Sequence, residues 1–497
     1  MALPRSRAPD KISRGMTVSS VHAAQNPKAA AAIDPNRVMA VCTGVTFMAF
    51  LDFSVVNIAF PEISADFANT SINTMTWTVS GYAVTFAALL ATGGRVADSI
   101  GRRTVFLWSV GLFILASLGC GLAPSIGWLI AARFVQGAAS GGMVPSALGL
   151  ILSTTPRERI GHAISVWTTA SGFSAVIGPA VGGVLLEAFD WRWVFLINLP
   201  IGLLLLLGGV AVLPRQQRGS GAPLPDPLGS VLLTAGIAGV VSALTEADSW
   251  GWHDPRTLAL GLVGLALTLV AVVRSRSHRS PAIDLALWGS RTFAIANVGL
   301  GLLSATMFAW MLGAPLFAAS IWHWSVLTTA GALCVGGVAS MAGALTAGRL
   351  VKPTARVKVA VLGSLLFAGS NAIWASSLFG AKPNFVGAWL PASILGGGGL
   401  GLALTCLSTL AAGVVPPLKF AGGLGMMLSA RQVGGAVGVA GFATILASGA
   451  APGSMSNFHH AFDAVLVVNV CCAVLVATLA KVIRPATGAD PAPAREA

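Results

Sequence analysis

A succession of long apolar segments, separated by short polar loops, constrains this chain more than any other feature of its sequence. A helix needs about 20 apolar residues to span a bilayer, and backbone groups in the hydrocarbon must bond within their own segment. Such segments are therefore expected to be membrane-spanning α-helices. We count fourteen of them, at residues 38–60, 76–94, 104–122, 126–151, 160–185, 194–213, 228–245, 257–273, 292–315, 326–347, 358–378, 386–411, 421–447 and 462–482.

The composition excludes a soluble protein of this length. Of the 497 residues, 55% are hydrophobic and only 9% are charged. A soluble domain carries about 25% charged residues, and so few charges cannot cover a surface that faces water. The predicted fold class is all-α, a polytopic membrane protein in a lipid bilayer.

The distribution of Lys and Arg predicts the orientation of these segments. With the N-terminus inside, the inner loops and tails hold 25 of the 30 basic residues, and Arg133 and Arg431 fall within the membrane. The outer loops hold only Arg192, Arg256 and Lys382. Basic residues concentrate on the cytoplasmic side, so we expect fourteen spans in the cell (inner) membrane with both ends cytoplasmic. This asymmetry also accounts for the net charge of +13, and no nucleic-acid partner is expected.

A repeated motif predicts how the spans are grouped. GRVADSIGRR at 94–103 follows the second segment, and GRLVKPTARV at 348–357 follows the tenth. Two parallel six-helix halves plus two inserted helices explain this spacing, and this layout is typical of secondary transporters with a site between the halves. The expected units are a cytoplasmic tail (1–37), an N-terminal half (38–213), a linker with two extra transmembrane helices (214–290), a C-terminal half (291–484) and a cytoplasmic tail (485–497).

Asp52 and Arg133 are charged residues deep in apolar segments. Asp52 lies about 21 Å from the inner end of its segment and Arg133 about 27 Å from the inner end of its own, at ~1.5 Å per residue. Ionisable residues at such depth point to function, and a guanidinium there stays charged. We predict that the pair couples transport to protons, because a change in their separation would release a proton from Asp52. The alternatives are a carboxylate at the headgroups and an arginine bonded to backbone carbonyls.

Two glycine-bearing motifs have both structural and functional interpretations. The turn GGRVADSIGRR is either a solvated loop that sets topology or, as we favour, a gating loop in which a carboxylate and arginines bind a neighbouring helix end; its residues are Gly94, Asp98, Gly101, Arg102 and Arg103. The segment GFSAVIGPAVGG is either generic small-residue packing or a sliding contact between halves, matched by GGAVGVAG at 434–441. Its residues are Gly178, Pro179, Gly182 and Gly183.

No pattern typical of an enzyme, a cofactor site or a metal centre is present in the sequence. The six cysteines fall in apolar segments without metal-ligand spacing, and the histidines of the outer loops lack acidic or cysteine partners at ligand spacing. No nucleophile–base arrangement and no GxxxxGK[ST] loop is present, so ATP-driven transport is not supported.

Four motifs in order resemble the major facilitator superfamily, and specifically its fourteen-helix drug:proton antiporter branch, over residues 38–484. They are LDFSVVNIAFP in span 1, GGRVADSIGRR after span 2, RFVQG in span 4 and IGPAVGG in span 5. Two positions depart from the branch pattern, since Ser99 stands where a basic residue is usual and Ser174 replaces a glycine.

The resemblance implies a secondary active transporter that exports small hydrophobic compounds, such as drugs or antibiotics, by proton antiport and alternating access. The alternatives are a dedicated exporter of a self-made metabolite or lipid, a membrane-embedded enzyme and a non-transporting sensor. Asn57 and Gln136 are expected in the substrate cavity, and a monomer is expected. Because Asp52 is the one carboxylate placed deep in the membrane, we expect neutral or monocationic substrates and poor transport of dications.

Overall fold

The computed structural model describes residues 34–68, 70–214, 224–447 and 454–482, and this part of the chain is all-helical. The long helices are α1 Pro35–Asp66, α2 Trp77–Ile100, α3 Arg102–Gly121, α4 Ile126–Thr154, α5 Ile160–Ala188, α6 Asn198–Val212, α7 Pro227–Trp250, α8 Pro255–Ser277, α9 Arg291–Ser320, α10 Val326–Gly348, α11 Pro353–Trp374, α12 Leu390–Gly413, α13 Phe420–Ala447 and α14 Met455–Val482. Short helical turns are Ile72–Met75, Arg157–Arg159, Trp193–Leu196, Leu285–Trp288, Phe385–Trp389 and Pro417–Lys419.

Within the described residues, twelve helices are long and apolar enough to cross a membrane, which confirms a multi-pass membrane protein. The sequence predicts fourteen, and the two long helices outside this set are α2 and α5. α2 packs among other helices, and a helix with protein neighbours on several sides needs less apolar surface than one that faces lipid. α5 includes residues 175, 176 and 179, whose side chains lie outside the described part of the chain, so its apolar length is not tested.

Local chemistry explains where many of the helices begin and end. Asp34, Ser125, Ser290 and Ser325 stand just before helices, and each side chain accepts a hydrogen bond from a backbone N–H of the first turn. Such caps satisfy donors that have no partner within the helix. Gly101 separates α2 from α3 with a φ of 112°, a conformation that glycine adopts without steric cost.

Two groups of helices form the body of the fold. In the N-terminal group α1 packs on α5 and α2 on α4, and in the C-terminal group α9 packs on α13 and α10 on α12. The two groups meet where α2 packs against α13 and where α5 packs against α10. The expected tails lie largely in residues 1–33 and 483–497, outside the described residues, and α1 begins at Pro35 within the first of them.

The two inserted helices form a hairpin that lies against both groups. α7 and α8 pack closely together, and α7 also contacts α2 and α13. Asp226, just before α7, pairs with Arg274 of α8, and the hydrogen bond from Arg274 holds the pKa of Asp226 below its usual value. A further ion pair joins Lys419 to Asp284. The hairpin and its flanking segment are therefore attached to the seam between the two groups.

A cluster of aromatic rings closes one end of the C-terminal group. Trp374 stacks on Phe379 with ring centroids 3.8 Å apart and lies 4.8 Å from Phe462. Trp322 and Trp389 pack against the same rings. Stacked and edge-on rings at these distances add attraction beyond the burial of their area, so the cluster stabilises this end of the group.

Candidate functional site

A cavity of about 310 Å³ lies between the two groups of helices. Its wall is formed by α1, α2 and α5 from one side and by α9, α10, α11, α12 and α13 from the other. The lining is largely apolar and includes Phe53, Phe308 and Trp310. A concave apolar pocket with a few polar groups is the usual form of a small-molecule site.

Most of the polar side chains that line this cavity are uncharged hydroxyls and amides, Gln432 among them. Asn57 is exposed there, and its amide nitrogen donates to the Phe53 carbonyl of its own helix at 2.8 Å. Arg431 of α13 also lines the cavity. The described lining residues include no Asp, Glu, Lys or His. The cavity therefore carries one fixed positive charge and no compensating carboxylate among these residues.

Asp52 and Arg133 meet beside the cavity. Nη1 of Arg133 donates to Oδ2 of Asp52 at 2.6 Å, and Nε donates to the carbonyl of Thr78 at 2.8 Å. Both side chains are buried, with relative exposures of 1% for Asp52 and 0% for Arg133. The structure thus joins the two residues that the sequence places at similar depth, and it also gives Arg133 the carbonyl contact of the alternative interpretation.

Polar side chains complete the surroundings of Asp52. Oδ1 accepts from Nε2 of Gln136 at 2.9 Å and from Nδ2 of Asn198 at 2.7 Å. Gln136 also donates to Oγ of Ser117 at 2.8 Å and accepts from Arg133 at 2.7 Å. We call these five residues, Asp52, Ser117, Arg133, Gln136 and Asn198, the Asp52 network. Three donors on its two oxygens provide the hydrogen bonds that a buried carboxylate requires.

Gln136 is expected in the cavity from the sequence, and the structure places it elsewhere. It is fully buried within the Asp52 network and does not line the cavity. Residues three positions apart lie on the same face of a helix, so Gln136 points toward Asp52 as Arg133 does. Asn198 and Ser117 are missed by sequence reasoning, and the available signal is the single Asn of the apolar stretch at 194–213.

Tyr82 contacts both the cavity and the Asp52 network. Its ring lines the cavity, and the guanidinium carbon of Arg133 lies 4.4 Å from the ring centroid. The hydroxyl lies 3.0 Å from the carbonyl oxygen of Ala49, to which it donates, and 2.9 Å from Oγ of Ser140. It is the only tyrosine in the chain, which is the sequence signal for it. One aromatic ring is therefore in contact with both the cavity and the buried ion pair.

The turn between α2 and α3 contacts the start of α13 in the other group. The backbone N–H groups of Ala421 and Gly422 donate to Asp98 at 3.2 and 2.7 Å. Nε of Arg102 donates to Asp98 at 2.8 Å, and its Nη2 donates to the carbonyl of Pro417. We call this set the Asp98 junction. The carboxylate caps a helix N-terminus, where free N–H groups and the helix dipole favour negative charge.

The glycines of the same motif allow the close approach. A Cβ atom at Gly94 would clash with the carbonyl oxygen of Ala421, so only glycine fits between α2 and α13. Arg103 lies apart from this contact and donates to the carbonyl of Val210 in its own group at 2.9 Å. Of the predicted gating-loop residues, Gly94, Asp98 and Arg102 lie at this contact, Gly101 lies between α2 and α3, and Arg103 is placed elsewhere.

The two glycine-rich stripes do not face each other. Gly178 and Gly182 of α5 lie against Ser54 and Val55 of α1. The matching stripe packs within the other group, where Gly438 lies against Ala305 of α9. The sequence predicts a sliding contact between halves at these glycines, and this prediction is wrong because each stripe packs inside one half.

The remaining members of the α5 motif add little to this contact. A Cβ atom at Gly183 would have no neighbouring heavy atom within 4 Å, so this glycine faces open space. The side chain of Pro179 is not among those that the structure describes.

Among the described residues, no group of three or more His, Cys, Asp or Glu side chains is placed to hold a metal ion. The sites of this chain are instead an apolar cavity, a buried ion-pair network and a contact between helix ends. This combination is suited to binding and conformational change.

The family model of the Major Facilitator Superfamily matches residues 42–438. The chain belongs to the major facilitator superfamily. This assignment makes it a transporter and not an enzyme, and it agrees with the many apolar helices of the fold.

Several relatives of this transporter bear the names of resistance or export proteins. It is 34% identical to the puromycin resistance protein of Streptomyces alboniger, over 82% of this chain and 81% of that one. It is 32% identical to the cephamycin export protein of Amycolatopsis lactamdurans, over 88% and 91% of the two chains. The crystal structure of a human organic anion transporter has the same fold, with a TM-score of 0.63 and 14% identity over 89% of this chain and 99% of that one.

Proposed function

We propose that this transporter exports small hydrophobic compounds, such as drugs or antibiotics, by antiport with protons across the cell (inner) membrane. The observation that carries the proposal is the position of the Asp52 network. A buried, ionisable carboxylate lies behind one ring of the cavity wall, so binding in the cavity and protonation of Asp52 act on the same few residues. The names of the relatives support export of antibiotics.

The contacts between the groups support alternating access. Close backbone contacts across the seam join Gly94 to Ala421, Gly425 to Leu90 and Gly161 to Gly348. All of these, like the Asp98 junction, lie toward the same end of the helices. We take that end to be cytoplasmic, in agreement with the distribution of basic residues, and propose that these contacts close the cavity on the cytoplasmic side in one state of the transport cycle.

The proposed topology keeps α2 and α5 as spans. Both are long enough to cross the bilayer, and both line the cavity between the groups. The proposal is then fourteen spans with both ends cytoplasmic, organised as 38–213, the linker 214–290 and 291–484, in a monomer. Each half supplies one side of the cavity, so a monomer holds a complete site.

For the substrate, we propose neutral compounds as well handled and dications as poorly handled. The expectation of monocationic substrates depends on Asp52 in the cavity, and the structure places that carboxylate in contact with Arg133 instead. A cation that enters the cavity meets Arg431 and no carboxylate among the described lining residues. Desolvating a charge without a partner is costly, and the cost grows with the number of charges.

Transport into everted membrane vesicles tests the proposal. Uptake of a fluorescent hydrophobic compound should require a proton gradient with the vesicle interior acidic. Collapse of this gradient should abolish uptake. Gradient-independent uptake would reject antiport, and the absence of uptake for a broad panel of such compounds would reject hydrophobic export.

A further inference from the structure

We propose that Arg431 binds an acidic group on the transported molecule, so that the cavity takes aromatic monoanions such as carboxylates. This inference rests on the proposed function, because it assigns a substrate class to the same cavity. It depends on the different surroundings of the two arginines that lie within the apolar segments.

The charge of the first of these arginines is paired within the protein, although its Nη2 has no hydrogen-bond partner among the described residues. Arg133 is completely buried, pairs with Asp52 and donates to the Thr78 carbonyl and to Gln136. Its charge is balanced within the N-terminal group. No ligand is needed to compensate it.

Arg431 has very different surroundings. It lies in the middle of α13 on the cavity wall, and its Nε donates to Oγ of Ser304 at 3.4 Å. In the part of the chain that the structure describes, no carboxylate pairs with it, and Nη1 and Nη2 have no hydrogen-bond partner in the protein. A guanidinium remains charged in such a place, so the cavity holds a permanent cation. The N–H groups of its Nη1 and Nη2 are available to a ligand.

The chemistry of this group selects its ligand. The planar fork of a guanidinium matches the two oxygens of a carboxylate, and the resulting charge-assisted bonds are stronger than neutral ones. The low dielectric of an apolar cavity strengthens the attraction further. A bound monoanion would neutralise the cavity, whereas a neutral molecule leaves the charge of Arg431 unpaired.

The rest of the cavity specifies the body of the ligand. Phe308, Trp310 and Met311 of α9 line it, and Phe53 lies in the wall contributed by α1. Aromatic and thioether side chains favour a flat apolar body. An aromatic ring system with one carboxylate therefore fits both the charge and the surface.

The test uses the purified transporter with two matched fluorescent probes, anthracene-9-carboxylate and anthracene-9-carboxamide. We expect the wild type to bind the carboxylate about tenfold more tightly than the amide, in keeping with the strength of a charged hydrogen bond. In Arg431→Gln this preference should disappear while the affinity for the amide is kept, and Arg431→Lys should keep part of the preference. Arg349→Gln, which removes an exposed arginine outside the cavity, should behave as the wild type.

Equal affinity of the wild type for both probes would overturn the inference, as would a preference that persists in Arg431→Gln. Failure of the wild type to bind either probe would also overturn it. Retained amide binding shows that Arg431→Gln is folded. Since binding is measured without a proton gradient, failure of proton antiport leaves this result intact, and the two proposals fail separately.

Discussion

Nη1 of Arg133 lies 2.6 Å from Oδ2 of Asp52, although 81 positions separate the two residues along the chain. The pair is buried and belongs to a network that joins α1 to α3, α4 and α6. Protonation of Asp52 would remove the charge that Arg133, Gln136 and Asn198 bind. A proton there is therefore expected to loosen the packing of these four helices.

The first prediction concerns the proton. Asp52→Asn keeps the size of the side chain and cannot take up a proton, so proton-driven export should fall to the background of a strain without the transporter. The amide has one acceptor oxygen, so it keeps the donors on one side of the network only, and Arg133 loses its counter-ion. Export is therefore compared per inserted transporter. Vesicle uptake and membrane abundance measure the two effects.

Asp66→Asn is the matched control. Asp66 lies at the end of α1, is 44% exposed in its side chain and pairs with Arg192. An exposed ion pair contributes about 0–1 kcal/mol, so export should remain at the wild-type rate. Wild-type export by Asp52→Asn would reject Asp52 as the coupling carboxylate.

The depths of Asp52 and Arg133 in their segments agree within about one helical turn. Together with the arrangement of spans 1 and 4 that the family resemblance implies, this is enough to predict that the two residues interact. Their neighbours are harder to predict. The rotation of each helix about its axis decides whether a polar residue faces the cavity or the bundle interior, and the sequence alone does not fix it. Gln136 and the glycine stripe of α5 are misplaced for this reason.

The second prediction concerns Tyr82, the ring between the cavity and the Asp52 network. Tyr82→Phe loses the hydroxyl bonds to Ala49 and Ser140 and should destabilise the protein by about 0.5–1.5 kcal/mol while export stays coupled. Tyr82→Ala removes the ring and opens the network to the cavity. It should let protons leak without substrate, measured with a pH-sensitive dye in proteoliposomes.

Tyr82→Phe serves as the control for the larger truncation. Equal rates of proton leak in proteoliposomes with Tyr82→Ala and with Tyr82→Phe would show that the ring is not a barrier to protons.

The third prediction concerns closure at the Asp98 junction. Gly94→Ala places a methyl group against the carbonyl oxygen of Ala421, so α2 and α13 cannot approach as closely. Closing the contact between the two groups should become unfavourable, and export should fall about 5- to 150-fold if the clash costs about 1–3 kcal/mol, as overpacking does. Gly111→Ala is the control, since no atom lies within 4 Å of its added methyl group.

Equal export by the two alanine variants would contradict the role assigned to Gly94. A cysteine introduced into the contact between α2 and α13 provides a second measurement. In Gly94→Ala, a thiol reagent added on the side of the Asp98 junction should modify this cysteine faster, because the closed state is less populated.

The fourth prediction concerns topology. Single cysteines are introduced into a variant without the six native ones, at Ala286 and at Lys382. Both positions are exposed, whereas Asp284 is buried and paired with Lys419 and would label poorly. Fourteen spans place Ala286 inside and Lys382 outside, so an impermeant thiol reagent added to whole cells should label only the second.

Labelling of both positions from the same side would require an even number of spans between them. The proposed span count would then be wrong, and α9, α10 and α11 would be the helices to revise.

The last prediction follows from the charge of the cavity. Its described lining offers a dication no carboxylate, and Arg431 repels both of its charges. Ethidium and propidium carry one and two positive charges on the same ring system. In a host that lacks other efflux systems, the transporter should therefore protect less against propidium than against ethidium, and a neutral hydrophobic antibiotic should be exported better than either. Growth inhibition and dye accumulation measure the order.

Arg431→Gln should reduce the difference in protection between the two dyes, because it removes the repulsion and leaves the apolar walls unchanged. Equal or stronger protection against propidium in the wild type would mean that an acidic group serves the cavity in another state of the transport cycle, with Asp52 released from Arg133 as the first candidate.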